Sequence, residues 1–160
     1  TTDQGMLRMD FHLMPYKPDI VILQIGVNDL KIIPLDRRKG DEVVGRVEEN
    51  IQSMVNELKA SGAKIIVTTI FPAGEPPLIR ETVWSPEIYE AIKRVNTYIR
   101  TMDDGDQVTV WDTYPILATP DDRLKPDMAR DFLHLKTSGY DELSKILDEK
   151  IGALNAKRNH

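Results

Sequence analysis

Apolar positions along the chain alternate between two periods. Three short β-branched-rich runs, Ile20 to Ile25, Lys64 to Ile70 and Gln107 to Trp111, have strand length. The first is broken only by Gln24, and a run without polar alternation suits a strand buried on both faces of a parallel sheet. Between the runs the spacing turns helical. Val43, Val44, Val47, Ile51, Met54, Val55 and Leu58 form one stripe, which predicts a helix over 41–61 with Gly62 as its left-handed stop. Ser85-Pro86 reads as a cap with proline at the first helical position, opening a helix that buries Ile88, Ile92, Val95, Ile99 and Met102. Upstream, Met6, Leu7, Met9, Phe11, Leu13 and Met14 predict a buried-face helix over 3–15, capped by Thr2 or Asp3 and ended by Pro15 and Pro18, with its methionines filling core. A last helix is expected over 138–154, with Ser138-x-x-Asp141 as its capping box, before a polar, frayed tail over 155–160.

Helices alternating with strands imply right-handed crossovers and a parallel sheet. The expected fold is therefore α/β, a three-layer α/β/α sandwich, in one domain spanning 1–154 without internal repeat or linker. The loops 26–40, 71–85 and 112–137 leave the carboxyl edge of that sheet, where α/β proteins bind ligands.

Composition narrows the function more by exclusion. A formal charge of −5 argues against a nucleic-acid partner, which favours a basic face. The triplet Arg37-Arg38-Lys39 reads as a solvated face. No apolar run has membrane-spanning length, and the chain has no cysteine for disulfide or thiolate chemistry. His12, His134 and His160 are scattered, so no metal or other cofactor is expected. The chain starts Thr1-Thr2-Asp3, so localisation and targeting are unreadable.

Two groups of residues stand where chemistry belongs. Asn28 and Asp29 follow the first strand after Gly26; either they form a site, or they serve as turn and cap residues, which Asn and Asp also favour. Asp131 and His134 share one loop, and a carboxylate three residues from an imidazole can fix its tautomer and free the other nitrogen as a base. Trp84, Tyr89 and Tyr114 lie in or near the loops, as stacking platforms for a substrate or as partly buried aromatics.

Ile25-Gly26-Val27-Asn28-Asp29 resembles the G-x-N-D block of the SGNH (GDSL-type) hydrolases, and Asp131-Phe132-Leu133-His134-Leu135 with Gly139-Tyr140 resembles their D-x-x-H block. Pro18-Asp19, Asn50-Ile51 and Gly62-Ala63-Lys64 fit the same family, so the resemblance runs along essentially the whole chain. It implies a flavodoxin-like SGNH fold and a serine esterase acting on a small-molecule acyl ester: an acetylated carbohydrate, a lysophospholipid or another small ester. Carried over, Asn28 donates to the oxyanion, His134 is the general base and Asp131 orients it. Gly26 and Asp29 shape and brace the turn.

The chain departs from the family pattern in having neither a G-D-S block nor the second-block glycine, and Thr1-Thr2 resembles the tail of that second block. None of Ser53, Ser61, Ser85, Ser138 and Ser144 follows a strand on a sharp turn, as an activated nucleophile does. The resemblance thus implies a nucleophile and two strands upstream of residue 1, a chain inactive as given, and an apolar edge at 20–25 open to self-association. The alternative is a non-catalytic α/β binding or interaction domain derived from the same fold. A receiver-like signalling domain lacks its acidic cluster and its lysine here.

Overall fold

A computed structural model describes residues 1–35, 39–78 and 84–158, without the side chains of 155–158. The chain divides into two compact units, Thr1–Ile70 with Pro76–Asp112, and Phe71–Glu75 with Thr113–His160.

The first unit carries α1 (Thr2–His12), β1 (Ile20–Leu23), a one-turn helix α2 (Val27–Leu30), α3 (Gly40–Ala60), β2 (Lys64–Thr68), α4 (Pro86–Arg100) and β3 (Val108–Trp111). The strands form a parallel sheet in the order β1-β2-β3, with Ile20 opposite Lys64 and Ile65 opposite Val108. The expected α/β class with a parallel sheet is therefore the one observed. β2, the central strand, is buried along Ile65–Thr68, which is why its run carries no polar alternation. The predicted α3 stripe is buried from Val43 to Leu58 without exception, and Gly62 adopts φ +86° after it. α4 likewise buries Ile88, Ile92, Val95 and Ile99, with Pro86 in its first turn.

Several expectations change. β1 ends at Leu23 rather than Ile25, because the chain leaves the ladder to enter the turn at Gly26. Nor is β1 buried on both faces, since Ile22 is 44% exposed; among the described residues it pairs only with β2, which leaves the open edge expected at 20–25. β2 stops at Thr68, and β3 begins at Val108. α1 is capped by Thr1, whose hydroxyl accepts from the Gln4 N–H in a capping box, and not by Thr2 or Asp3. It ends at His12 and gives way to a 3₁₀ turn over Met14–Tyr16. Its apolar residues do not share one face, so Leu7 and Phe11 point outward and only Thr2 and Met9 are buried. Met102 lies beyond the end of α4 and is only partly buried. Ser85 makes no side-chain capping bond to α4.

The second unit holds α5 (Tyr114–Leu117), within a stretch that reads as irregular in the sequence, and α6 (Thr137–Arg158). Bridges Ala118–Leu124 and Ala129–Leu135 fold the chain between them back on itself. Ser138 does not close a capping box: its hydroxyl donates 2.9 Å to the Asp127 carbonyl, tying the start of α6 to the preceding loop. The α6 backbone continues through Arg158, past the expected fraying point at Asn155. Trp84, Tyr89 and Tyr114 are all buried, so none offers an open ring face for stacking, and Trp84 meets Tyr89 edge-on at 6.1 Å. Of the basic triplet, Arg37 and Arg38 lie outside the described residues and Lys39 is exposed.

Candidate active site

In the first unit the chain turns sharply after β1. Gly26 holds φ +123°, and a Cβ there would come within 2.8 Å of Ile70 Cδ1, so the turn favours glycine on both counts. α2 follows at once and sets Asn28 and Asp29 on one helical turn. Neither caps α2 through its side chain. They face different surroundings: Asn28 is exposed, and Asp29 is buried.

The Asp29 carboxylate reaches across to the first turn of α1. Both its oxygens accept the Thr2 backbone N–H at 2.9 Å, and Oδ1 also accepts the Thr2 hydroxyl at 2.8 Å. Asn50, from α3, donates to Thr2 Oγ1 at 2.9 Å and to Asp3 at 2.8 Å. A helix leaves its first N–H groups without intrahelical partners, so the carboxylate satisfies a donor that would otherwise be buried alone. Asp29 thus braces the turn. Asn28 projects from the braced turn, and its Oδ1 accepts a 2.6 Å hydrogen bond from Lys31 Nζ. A cleft of about 210 Å³ beside it is bordered by Asn28, Ile32, Val43 and Val47.

The second unit contains Asp131 and His134. Asp131 Oδ1 accepts the backbone N–H groups of Leu133 at 2.8 Å and His134 at 2.9 Å, which closes a tight turn. The same turn brings His134 Nδ1 to 2.9 Å from each carboxylate oxygen. A carboxylate only accepts, so Nδ1 carries a proton, and in the neutral imidazole Nε2 keeps its lone pair. The Leu133 N–H, and then the His134 ring, lower the Asp131 carboxyl to about 2, so it stays ionised across the physiological range. Both side chains are substantially exposed, His134 at 67% and Asp131 at 46%. The loop is supported from Gly74, whose N–H donates 2.7 Å to the Phe132 carbonyl. A Cβ on Gly74 would meet Phe132 Cα at 3.3 Å. A second cleft, about 310 Å³, is bordered by Gly74, Arg123, Leu124, Asp131 and Phe132.

The structure therefore pairs Asp131 with His134 and joins Gly26, Asn28 and Asp29 in one turn; the two sets lie in separate units. It adds Thr2, Lys31, Asn50 and Gly74, which sequence reasoning passes over as site residues. Lys31 alone leaves a local signal, sitting one helical turn from Asn28. The other three act through partners remote in sequence. Among the described residues no group of three or more His, Asp or Glu could hold a metal ion, and no helix is long and apolar enough to cross a membrane.

Comparison with known proteins gives the family and the fold. The sequence profile of the GDSL-like lipase/acylhydrolase family matches residues 1–142. A Bacteroides fragilis protein described as an acylhydrolase superposes with a TM-score of 0.78 at 22% identity, over 96% of this chain and 70% of its own. A GDSL-like lipase from Bacteroides thetaiotaomicron gives 0.73 at 24% identity, over 96% and 71%. An acetylxylan esterase from Geobacillus stearothermophilus gives 0.69 at 21%, over 95% and 68%. At such identities the likeness establishes the fold. No functionally curated protein matches the chain in sequence.

Proposed function

The chain belongs to the GDSL-like lipase/acylhydrolase family, and on that premise we propose that it carries the general base and the oxyanion donor of a serine esterase. Ester hydrolysis is the chemistry of the family and of its structural neighbours. In this reading His134 Nε2 takes the proton of a serine hydroxyl as it attacks the acyl carbonyl. The imidazolium that forms is stabilised by the ionised Asp131 at Nδ1. Asn28 Nδ2 donates to the oxyanion of the tetrahedral intermediate, a contact typically worth about 3–4 kcal/mol in the transition state. Collapse expels the alcohol, protonated by His134, and water releases the acid by the same steps. Asp29 and Gly26 hold the turn that presents Asn28.

The nucleophile is proposed to come from polypeptide preceding Thr1. Supporting this, Ser53, Ser61 and Ser138 donate their hydroxyls to the backbone carbonyls of Glu49, Leu58 and Asp127. Ser85 is buried at 5% exposure, and Ser144 lies exposed on α6. The substrate is proposed to be a short-acyl ester such as an acetylated carbohydrate; the small cleft beside Asn28 supports a small acyl group.

The observation that carries the reading is the Asp131–His134 pair, with Nδ1 committed to an ionised carboxylate. Fluorophosphonate labelling and p-nitrophenyl acetate hydrolysis test it. The 160-residue chain is expected to resist labelling, and the polypeptide extended upstream to a G-D-S block to label and turn over. His134→Ala should lower that turnover by about 10⁴ or more. Stoichiometric labelling of the 160 residues overturns the upstream nucleophile. An extended polypeptide that neither labels nor hydrolyses leaves the non-catalytic binding domain, which the lack of a nucleophile-like serine also favours.

A further inference from the structure

The Asn28 side chain has two ends of opposite character, and the proposed chemistry needs the right one presented. Its carbonyl accepts, and its NH₂ donates; a half-turn about χ2 exchanges them. An oxyanion is stabilised by Nδ2 and repelled by Oδ1. At an exposed position such as Asn28 nothing in the amide itself prefers either orientation.

Lys31 breaks that symmetry. It is the C-terminal flanking residue of α2, three positions after Asn28, so one helical turn places the two side chains together. Its ammonium donates 2.6 Å to Asn28 Oδ1. An ammonium has donors only, so it tolerates the carbonyl and repels the NH₂. The contact therefore fixes which end of Asn28 is spoken for, and leaves Nδ2 directed away from Lys31. It also draws electron density toward Oδ1, which makes the N–H groups better donors. Other charges around the neighbouring cleft have partners of their own: Arg46 pairs with Glu42 at 3.3 Å, and Asp3 accepts from Asn50 at 2.8 Å.

We propose that Lys31 is a positioning residue of the ester-hydrolysing site, locking the Asn28 carboxamide with its NH₂ toward the oxyanion. The inference rests on the proposed role of Asn28 as oxyanion donor. It assigns Lys31 no contact with substrate, so its effect belongs to the chemical step and not to substrate binding.

Steady-state kinetics on the upstream-extended polypeptide, with p-nitrophenyl acetate, separate these possibilities. Lys31→Met is expected to lower kcat about three- to tenfold with KM unchanged, the range for one solvent-accessible hydrogen bond. Asn28→Ala should cost about 10²–10³. Lys31→Arg, which keeps a cationic donor, should restore most of the loss. In the Asn28→Ala background Lys31→Met should add nothing, since the two residues act as one unit. In parallel, the ¹⁵N order parameter of Asn28 Nδ2 should fall in Lys31→Met as the amide becomes free to flip. A rise in KM at constant kcat, an additive double mutant, or an unchanged order parameter overturns the inference. A loss in Asn28→Ala with none in Lys31→Met overturns this inference alone. Full activity in Asn28→Ala overturns the role of Asn28 itself and takes this one with it.

Discussion

Replacing Asp29 with alanine tests whether a buried carboxylate holds the turn that carries Asn28, the proposed oxyanion donor, in place. The carboxylate receives two donors, the Thr2 N–H, shared between both oxygens at 2.9 Å, and the Thr2 hydroxyl at 2.8 Å. Thr2 is fully buried, so neither donor gains water when the acceptor is removed. Hydrogen bonds to a charged group contribute about 1.5–3 kcal/mol each, which sets the gross loss at about 3–6 kcal/mol. Against this stands the relief of no longer desolvating an ionised carboxylate that is only 8% exposed, an effect of opposite sign and smaller size because the group is well paired. The expected net destabilisation is about 2–4 kcal/mol. Asp29→Asn should lose about half as much, since one amide oxygen still accepts while the NH₂ confronts a donor. Urea denaturation followed by tryptophan fluorescence reads this directly, because Trp84 and Trp111 are both buried in the same unit as Asp29. Hydrogen exchange at the Thr2 amide should accelerate in step. An alanine variant within about 0.5 kcal/mol of the parent, or an asparagine variant as stable as the parent, refutes the clamp.

Two further outcomes follow from local geometry. The Asp131 carboxyl should titrate near 2 by ¹³C NMR, and because its folded value lies below the unfolded one, its stabilisation is complete above the ordinary aspartate range and fades as pH falls toward 2. In His134→Ala the midpoint should rise only part of the way, since the Leu133 N–H is the larger cause; a return to the ordinary value shows that the turn itself depends on the imidazole. Gly26→Ala should destabilise by about 1–3 kcal/mol, the cost of holding a side chain at positive φ, and a thermal melt that does not move contradicts the strained turn.

What can be read from the sequence is what local spacing encodes. The α3 stripe follows from a repeat of 3.6 residues, the Gly62 stop from one glycine after it, and the central strand from a short unbroken β-branched run; each is found in the structure, the strand two residues shorter than its run. The Asp131–His134 pair is legible for the same reason, being complete within four residues. α1 departs from expectation because Met6, Leu7, Met9, Phe11, Leu13 and Met14 follow no single helical face, and apolar content without a common face does not produce burial. The residue that anchors α1 is a polar one, Thr2, and its partners are 27 and 48 positions away. Asn96 leaves no sequence signal either: buried in α4, it donates to the Ile70 carbonyl at 2.9 Å and accepts the Ile70 N–H at 2.7 Å. A polar side chain in a helix reads as solvent-facing until the backbone group it satisfies is known.

That difference in range has a consequence for how the proposed site tolerates change. Asp131 and His134, the proposed carboxylate and base, are held by N–H groups of their own turn, and the Gly74 N–H on the Phe132 carbonyl is one of the contacts through which substitutions elsewhere reach them. The turn that carries Asn28 has no such autonomy. Its bend packs on Ile70, whose backbone Asn96 grips from α4, and Asp29 ties it to α1 through Thr2, which Asn50 holds in turn from α3. Three helices thus converge on the position of one carboxamide. Substitutions at Thr2, Asn50 or Asn96, none of them proposed to touch substrate, should then act on the chemical step through Asn28, whereas remote changes in α6 should leave the orientation of His134 intact.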